Sequence, residues 1–225
     1  MIFNKTPRAV IFDMDGLLFN TEELYRDALA LASDGFGVEA PVELFVSTIG
    51  LSMEATRASM SAHFGAAFDF DLLWKNASSL FFELADTRLR LKPGVIEILD
   101  LLEGAAMPAA IATASKPENV AHHLAAFGLE RRFQAVAAKG SYARSKPHPD
   151  PFLKAAELIG ADPANCIALE DSHTGVRSAS SAGMMTIMVP DFLEANDEMR
   201  ELCAHVALDL HEVAGLIEAA VRGGS

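Results

Sequence analysis

Cysteine is scarce in this chain, with two residues in 225, Cys166 and Cys203. They lack the CxxC spacing of a zinc or redox pair and sit in apolar segments, so the expectation is reduced core thiols in a cytoplasmic protein. Positive charge is scarce too. Eighteen Lys and Arg face 31 Asp and Glu, for a formal net charge of −13 and a pI near 4.9. A binder of nucleic acid or of an anionic membrane surface grips its partner through many Lys and Arg contacts, and this balance excludes both as expected partners. Long apolar runs are missing as well: Gly104 and Pro108 interrupt the best candidate, short of the roughly 18–20 residues a membrane span needs. Residues 1–6 carry one Lys and lead through a short apolar stretch straight into Asp13, which is neither the h-region nor the cleavage site of an export signal.

What is present is a core-forming composition, 51% apolar and 22% charged. Short apolar runs at 9–12, 109–113, 133–137, 166–169 and 185–189 alternate with helical patterns. Strands apolar on both faces and separated by helices indicate a parallel sheet covered on both sides, an α/β architecture. Residues 20–88 break the rhythm. They show helical patterns at 21–33, 41–46, 53–64 and 70–87, punctuated by Gly35, Gly37, Gly50 and Gly65. The expected organisation is a Rossmann-like parallel-sheet core, residues 1–19 and 89–225, with an inserted all-helical cap, residues 20–88, hinged near 19–21 and 87–92. Local chemistry marks two helix starts: Asp150-Pro151 as an N-cap followed by Pro, and Ser115-Lys116-Pro117-Glu118 with capping-box spacing.

The strongest chemical signal is Phe12-Asp13-Met14-Asp15-Gly16, where the first strand ends. Two carboxylates beside a buried strand end cost several kcal/mol without a cation or donors, so such a pair calls for a function. Thr113 and Ser115 follow the second strand, Lys146 lies in Ser145-Lys146-Pro147-His148-Pro149-Asp150, and Glu170-Asp171 closes a later strand. Each alone has an ordinary reading as a strand former, a helix cap, a solvated loop charge or an acidic turn. Together, each at a strand end, they converge on the edge where open parallel sheets bind ligands. Asp13, Asp15, Glu170 and Asp171 are hard oxygen ligands suited to Mg²⁺. Thr113 with the amides of Ala114 and Ser115 can hold phosphate oxygens at a helix N-terminus, and Lys146 keeps Asp13 ionised while neutralising a phosphoryl group. The set describes phosphoryl transfer to a carboxylate.

These residues resemble the haloacid dehalogenase superfamily, within it the phosphohydrolases with a helical cap, such as β-phosphoglucomutase-like proteins and sugar-phosphate phosphatases. The resemblance is carried by Asp13-Met14-Asp15-Gly16-Leu17-Leu18-Phe19-Asn20-Thr21-Glu22, Ala112-Thr113-Ala114-Ser115, Lys146-Pro147-His148-Pro149-Asp150 and Glu170-Asp171-Ser172-His173-Thr174-Gly175-Val176. It implies that Asp13 attacks phosphorus to form an aspartyl-phosphate, while Asp15 protonates the leaving alcohol and then activates water. It also implies that Thr113 and Lys146 bind the phosphoryl group, and that Asp171, with Glu170 nearby, completes a Mg²⁺ site with Asp13 and the Asp15 carbonyl. The cap loop with Thr48, Gly50, Leu51 and Ser52 is the candidate specificity segment.

Departures from the pattern narrow the choice. Asn20 stands where many members carry Asp. Tyr25 and Met53 occupy positions where mutases carry an assisting His and Arg. Asp15 argues against dehalogenases and phosphonatases, and Lys75, the sole Lys of the insert, is far from the loop phosphonatases use. No two histidines have convincing ligand spacing, although His148 and His173 flank the site. Trp74, Phe81 and Phe82 read as helix core. The expected function is a Mg²⁺-dependent phosphatase, a monomer, acting on a small phosphorylated metabolite. A phosphomutase is the alternative within the class, and a phospho-acceptor signalling domain the alternative outside it.

Overall fold

The computed structural model describes residues 2–51, 53–65 and 67–223. The chain divides into two compact units, residues 1–18 with 91–225, and residues 19–90.

The first unit is built on β1 (Ala9–Phe12), β2 (Ala109–Ala112), β3 (Ala135–Ala137), β4 (Cys166–Glu170), β5 (Met185–Met188) and β6 (His205–Val206). They form one sheet in the order β3-β2-β1-β4-β5-β6, every neighbouring pair parallel. The fold class is the α/β, Rossmann-like one expected. Successive strands are laid outward on both sides of β1, so the order reverses between β1 and β4, the crevice position at which such sheets bind ligands. Register puts Phe12 beside Ile111 and Leu169, so the chain leaves β1, β2 and β4 at one level.

The sheet is buried because its residues are small and apolar on both faces. Ala9, Ala110, Ala112 and Ala168 let the covering helices approach closely, and Phe152 and Ile11 fill the space they leave. A fully buried Phe of this kind contributes about 3–5 kcal/mol against truncation to Ala.

Two strands depart from the sequence pattern. β3 is shorter than 133–137 because Phe133 turns in to meet Phe12 edge-on, ring centroids 5.7 Å apart. β6 is two residues long and contains a His, too little for a periodicity to mark. Both thiols are free, and burial pushes each up to about 11, leaving them unreactive.

The second unit holds α1 (Thr21–Gly35), α2 (Val42–Val46), α3 (Met53–Phe64) and α4 (Phe70–Arg88), the four helices the pattern predicts with ends shifted by one or two residues. Leu24 and Ala28 of α1 bury against Phe81 and Ala85 of α4, and Tyr25 stacks on Phe81 at 3.8 Å. Phe81 is core as expected, and Trp74 stacks on Phe70. Phe82 is instead 41% exposed, because it follows Phe81 by one residue and a helix turns 100° per residue.

The two chain crossings are tied side by side. The Asn20 N–H donates to the Arg90 carbonyl at 3.1 Å. Its side-chain Oδ1 accepts from the Arg90 N–H at 2.7 Å, while Nδ2 donates to Glu23 at 3.0 Å and the Arg88 carbonyl at 3.4 Å. An amide can donate and accept at once. An Asp here would face the Glu23 carboxylate with no proton to offer, which accounts for Asn at this position.

Among the described residues no helix is long and apolar enough to cross a membrane.

Candidate active site

Parallel strands deliver their carboxyl ends to one edge, and the polar residues just beyond those ends meet there. The Asp13 N–H still donates to the Leu169 carbonyl of β4, and the Thr113 N–H to the Ala137 carbonyl of β3. Both residues are thus held by the sheet while their side chains extend past it. Gly16 then takes φ +83°, a left-handed turn that a residue with a Cβ rarely adopts, and this turn follows directly on Asp15.

Lys146 arrives from the connection between β3 and α7 (Asp150–Leu158). Its Nζ donates to both Asp13 Oδ1 and Glu170 Oε1 and lies 5.1 Å from the centre of the Phe152 ring. Three ionisable groups therefore share a site in which the Lys146 side chain is 9% exposed and Glu170 fully buried. Burial alone would disfavour the ammonium, but Asp13 and Glu170 outweigh it and hold Lys146 protonated, well above the usual lysine range. One cation serving two carboxylates does not neutralise them. Burial pushes Asp13 up to about 7; Lys146 opposes this, and Glu170 and Asp15 add to it.

Glu170 is saturated by protein donors. Beyond Lys146, its Oε2 accepts from the Asp171 N–H at 3.2 Å, the Ser172 N–H at 3.2 Å and the Ser172 hydroxyl at 3.0 Å. Ser172 in turn caps α8 (His173–Ser181) by accepting from the Gly175 N–H. The carboxylate lies where a residue-175 side chain would be: a Cβ on Gly175 would sit 1.9 Å from the Glu170 carboxyl carbon. Gly175→Ala is therefore expected to drive Glu170 off Lys146 and the helix donors. We expect a loss of about 2–4 kcal/mol, read as a thermal midpoint lower by about 5–15 °C. A midpoint unchanged by that substitution would show the slot to be compliant.

Asp15 faces the other donor group. It accepts from the Ser115 hydroxyl at 2.6 Å and the Thr113 hydroxyl at 3.3 Å, while Thr113 Oγ1 accepts from the Ser115 N–H at 3.0 Å. The capping box expected of Ser115 does not form. α6 (Pro117–Ala126) starts from Lys116 with no side-chain cap, because the Ser115 hydroxyl is engaged by Asp15. Asp150 is likewise no cap: it is the first residue of α7, and its carboxylate instead accepts from the Arg144 backbone and guanidinium at 2.8–3.1 Å. That contact braces the loop carrying Lys146.

The structure thus brings Asp13, Asp15, Thr113, Ser115, Lys146, Glu170 and Asp171 to one strand edge, with Ala114 exposed between the two hydroxyl residues. Of the histidines, the His148 backbone carbonyl accepts from the Ser178 hydroxyl, and the His173 ring meets the Glu194 carbonyl, which gives that ring a structural partner. Thr48, Gly50 and Leu51 lie in the helical unit. The Thr48 hydroxyl donates to the Phe45 carbonyl, Gly50 takes φ +73° and Leu51 is 45% exposed. Ser52 lies outside the described residues.

Asp13, Glu170 and Asp171 each offer a carboxylate oxygen within 4.8 Å of the others. An all-oxygen, buried, excess-negative set is the chemistry of a hard divalent cation, so the residues fit Mg²⁺. Glu170, already saturated, is the least available of the three.

Residues 10–189 match the haloacid dehalogenase-like hydrolases. The chain belongs to that family. It is 33% identical over 202 residues to the probable pseudouridine-5′-phosphatase of Drosophila melanogaster, covering 84% of this chain and 85% of that one. It is also 33% identical over 210 residues to hexitol phosphatase B of Escherichia coli O157:H7, covering 90% and 93%. Among solved structures, CbbY from Rhodobacter sphaeroides in complex with phosphate superposes with a TM-score of 0.76 at 26% identity, covering 92% of this chain and 96% of that one. This hydrolase therefore shares sequence with named phosphatases, and its fold with CbbY, along nearly its whole length.

Proposed function

We propose that this hydrolase is a Mg²⁺-dependent phosphatase that cleaves a small phosphate monoester, a sugar phosphate or related metabolite, through an aspartyl-phosphate on Asp13. The observation that carries the reading is Lys146 shared between Asp13 and Glu170 at the switch point of the sheet, with Asp15 two residues on and held by hydroxyls. The phosphatase names of relatives at 33% identity support the reaction class.

In this reading an Asp13 carboxylate oxygen attacks phosphorus and the bond to the leaving oxygen breaks, that oxygen taking a proton from Asp15. Asp15, now ionised, takes a proton from the water that attacks the phosphorus of the aspartyl-phosphate, and inorganic phosphate leaves with Asp13 restored. Splitting the displacement in two replaces one very slow step with two easier ones. Lys146 stays protonated throughout and opposes charge on the equatorial oxygens, while the Ala114 N–H donates to them and the Thr113 and Ser115 hydroxyls, which hold Asp15 in the free site, turn to them when substrate binds. Glu170 acts through Lys146, fixing where the ammonium points. Mg²⁺, when bound, would be held by Asp13, Asp171 and the Asp15 carbonyl and would neutralise the negative charge that substrate and carboxylates bring together.

The test is phosphate release over sugar phosphates, phosphoglycolate and nucleoside monophosphates, with Mg²⁺ and with chelator. Many equivalents released per chain with Mg²⁺, and none with chelator, is the expected result. A single equivalent would indicate a phospho-acceptor, an isomerised sugar phosphate a mutase, and full activity in chelator would remove the metal.

Mg²⁺ should also show in stability. Without it Asp13 holds its proton up to about pH 7 in the fold, against about 3.9 unfolded. Its contribution is full below the unfolded value and is lost as pH rises toward 7. Metal binding needs the ionised form. The rise in thermal midpoint on adding Mg²⁺ to chelated protein is therefore expected to be larger near pH 8 than near pH 5. Equal shifts at both would count against Asp13 as a ligand.

A further inference from the structure

We propose that Tyr142 is a positioning residue for phosphoryl binding, its hydroxyl holding the Thr113–Ala114 peptide so that the Ala114 N–H faces the phosphoryl group. The inference rests on the phosphatase reading and deepens its phosphate site.

Tyr142 lies four residues before Lys146, on the connection between β3 and α7. Its ring packs on the alanine-rich core that includes Phe152, and its hydroxyl donates to the Thr113 carbonyl at 2.9 Å. That carbonyl is one end of a peptide group whose other end is the Ala114 N–H. A trans peptide is planar, with its N–H pointing opposite to its C=O. A Thr113 carbonyl held toward Tyr142 therefore turns the Ala114 N–H the other way, and Ala114 as a residue is exposed.

The rest of the loop is fastened to the same connection. The Thr113 N–H donates to the Ala137 carbonyl at the end of β3 at 3.0 Å, the Ser115 N–H to Thr113 Oγ1 at 3.0 Å, and the Ser115 carbonyl accepts from the Lys139 N–H at 2.9 Å. These bonds hold the 112–113, 114–115 and 115–116 peptides. The Tyr142 hydroxyl holds the remaining one, Thr113–Ala114, at which a peptide flip would reverse the donor. Because the same connection delivers Lys146, one side chain sets the amide and the ammonium in a common frame. The hydroxyl needs no contact with substrate for this; it acts through the amide.

Tyr142→Phe keeps the ring and removes the tether. The experiment measures orthophosphate binding to the full chain in Mg²⁺ by calorimetry, with thermal midpoints. Ile217→Val, a buried change in the C-terminal helix, serves as a control for general destabilisation. Tyr142→Phe is expected to weaken phosphate binding by about three- to tenfold, the size of one lost hydrogen bond. Ile217→Val is expected to lower the midpoint and leave phosphate affinity within about twofold of wild type. Unchanged affinity in Tyr142→Phe, equal weakening in both variants, or no phosphate binding by the wild type would each overturn the inference. Phosphate bound and weakened by Tyr142→Phe, with no monoester hydrolysed in the screen, would uphold the tether and reject the phosphatase reading. Hydrolysis with unchanged phosphate affinity would do the reverse.

Discussion

Asp13→Asn is expected to lower phosphate release by at least about 10⁴-fold while the protein still folds. The amide is the same shape as the carboxylate, and its oxygen can still accept from Lys146, so the packing at the end of β1 survives. What it lacks is a nucleophilic anion. The fold should tolerate the change well, because burial already pushes the Asp13 carboxyl up to about 7, and a group disfavoured as an anion in the folded state contributes no stability by being one. Phosphate release together with a thermal scan checks both halves. Turnover near that of the wild type would refute Asp13 as nucleophile, and a collapsed fold would refute the stability argument.

Lys146→Ala is expected to cost about 10²–10⁴ in kcat and, unlike Asp13→Asn, to destabilise the chain. The catalytic loss follows from removing the one side-chain cation among the residues proposed to act, in a site where solvent screens little. The stability loss follows from what is left behind. Asp13 and Glu170 both lean on Nζ, so above about pH 7, where Asp13 too gives up its proton, its removal leaves two buried carboxylates facing each other with no cation between them. Breaking a buried pair from one side costs about 3–5 kcal/mol. Acid neutralises carboxylates, so the deficit in thermal midpoint relative to wild type should shrink as pH falls toward 5. A deficit independent of pH would mean that packing, not charge, is what Lys146 provides to the fold.

Much of the architecture is legible from local pattern. The runs at 9–12, 109–113 and 166–169 mark strands because alanine, valine and isoleucine without polar alternation suit only a sheet covered on both faces, and the helices of residues 20–88 carry their own punctuation. Asp13 and Glu170-Asp171 stand out because each is a charge placed where an apolar run ends, and Lys146 because it sits in the Pro-rich connection of residues 145–150. Other features leave no mark in sequence. The two-residue β6 exists because β5 offers it an edge. Ser115 and Asp150 have the local form of helix caps, yet Asp15, a hundred residues from Ser115, and Arg144 engage them instead, since a charge-assisted hydrogen bond is stronger than a cap to a backbone amide.

The sequence by itself pointed to the chemistry: an acid-rich, oxygen-ligand set with one lysine, attached to the ends of parallel strands, in a protein with 31 acidic against 18 basic side chains. Only the tertiary structure decided how those groups divide the work. It gave Glu170 to Lys146 and the helix donors, set Gly175 against the Glu170 carboxylate, and placed the Tyr142 hydroxyl on the Thr113 carbonyl. The reason is physical. Residue type and local pattern follow from the neighbours along the chain, whereas the partner of a buried polar group is whichever group the fold brings within about 3 Å, and Tyr142 meets Thr113 across 29 residues.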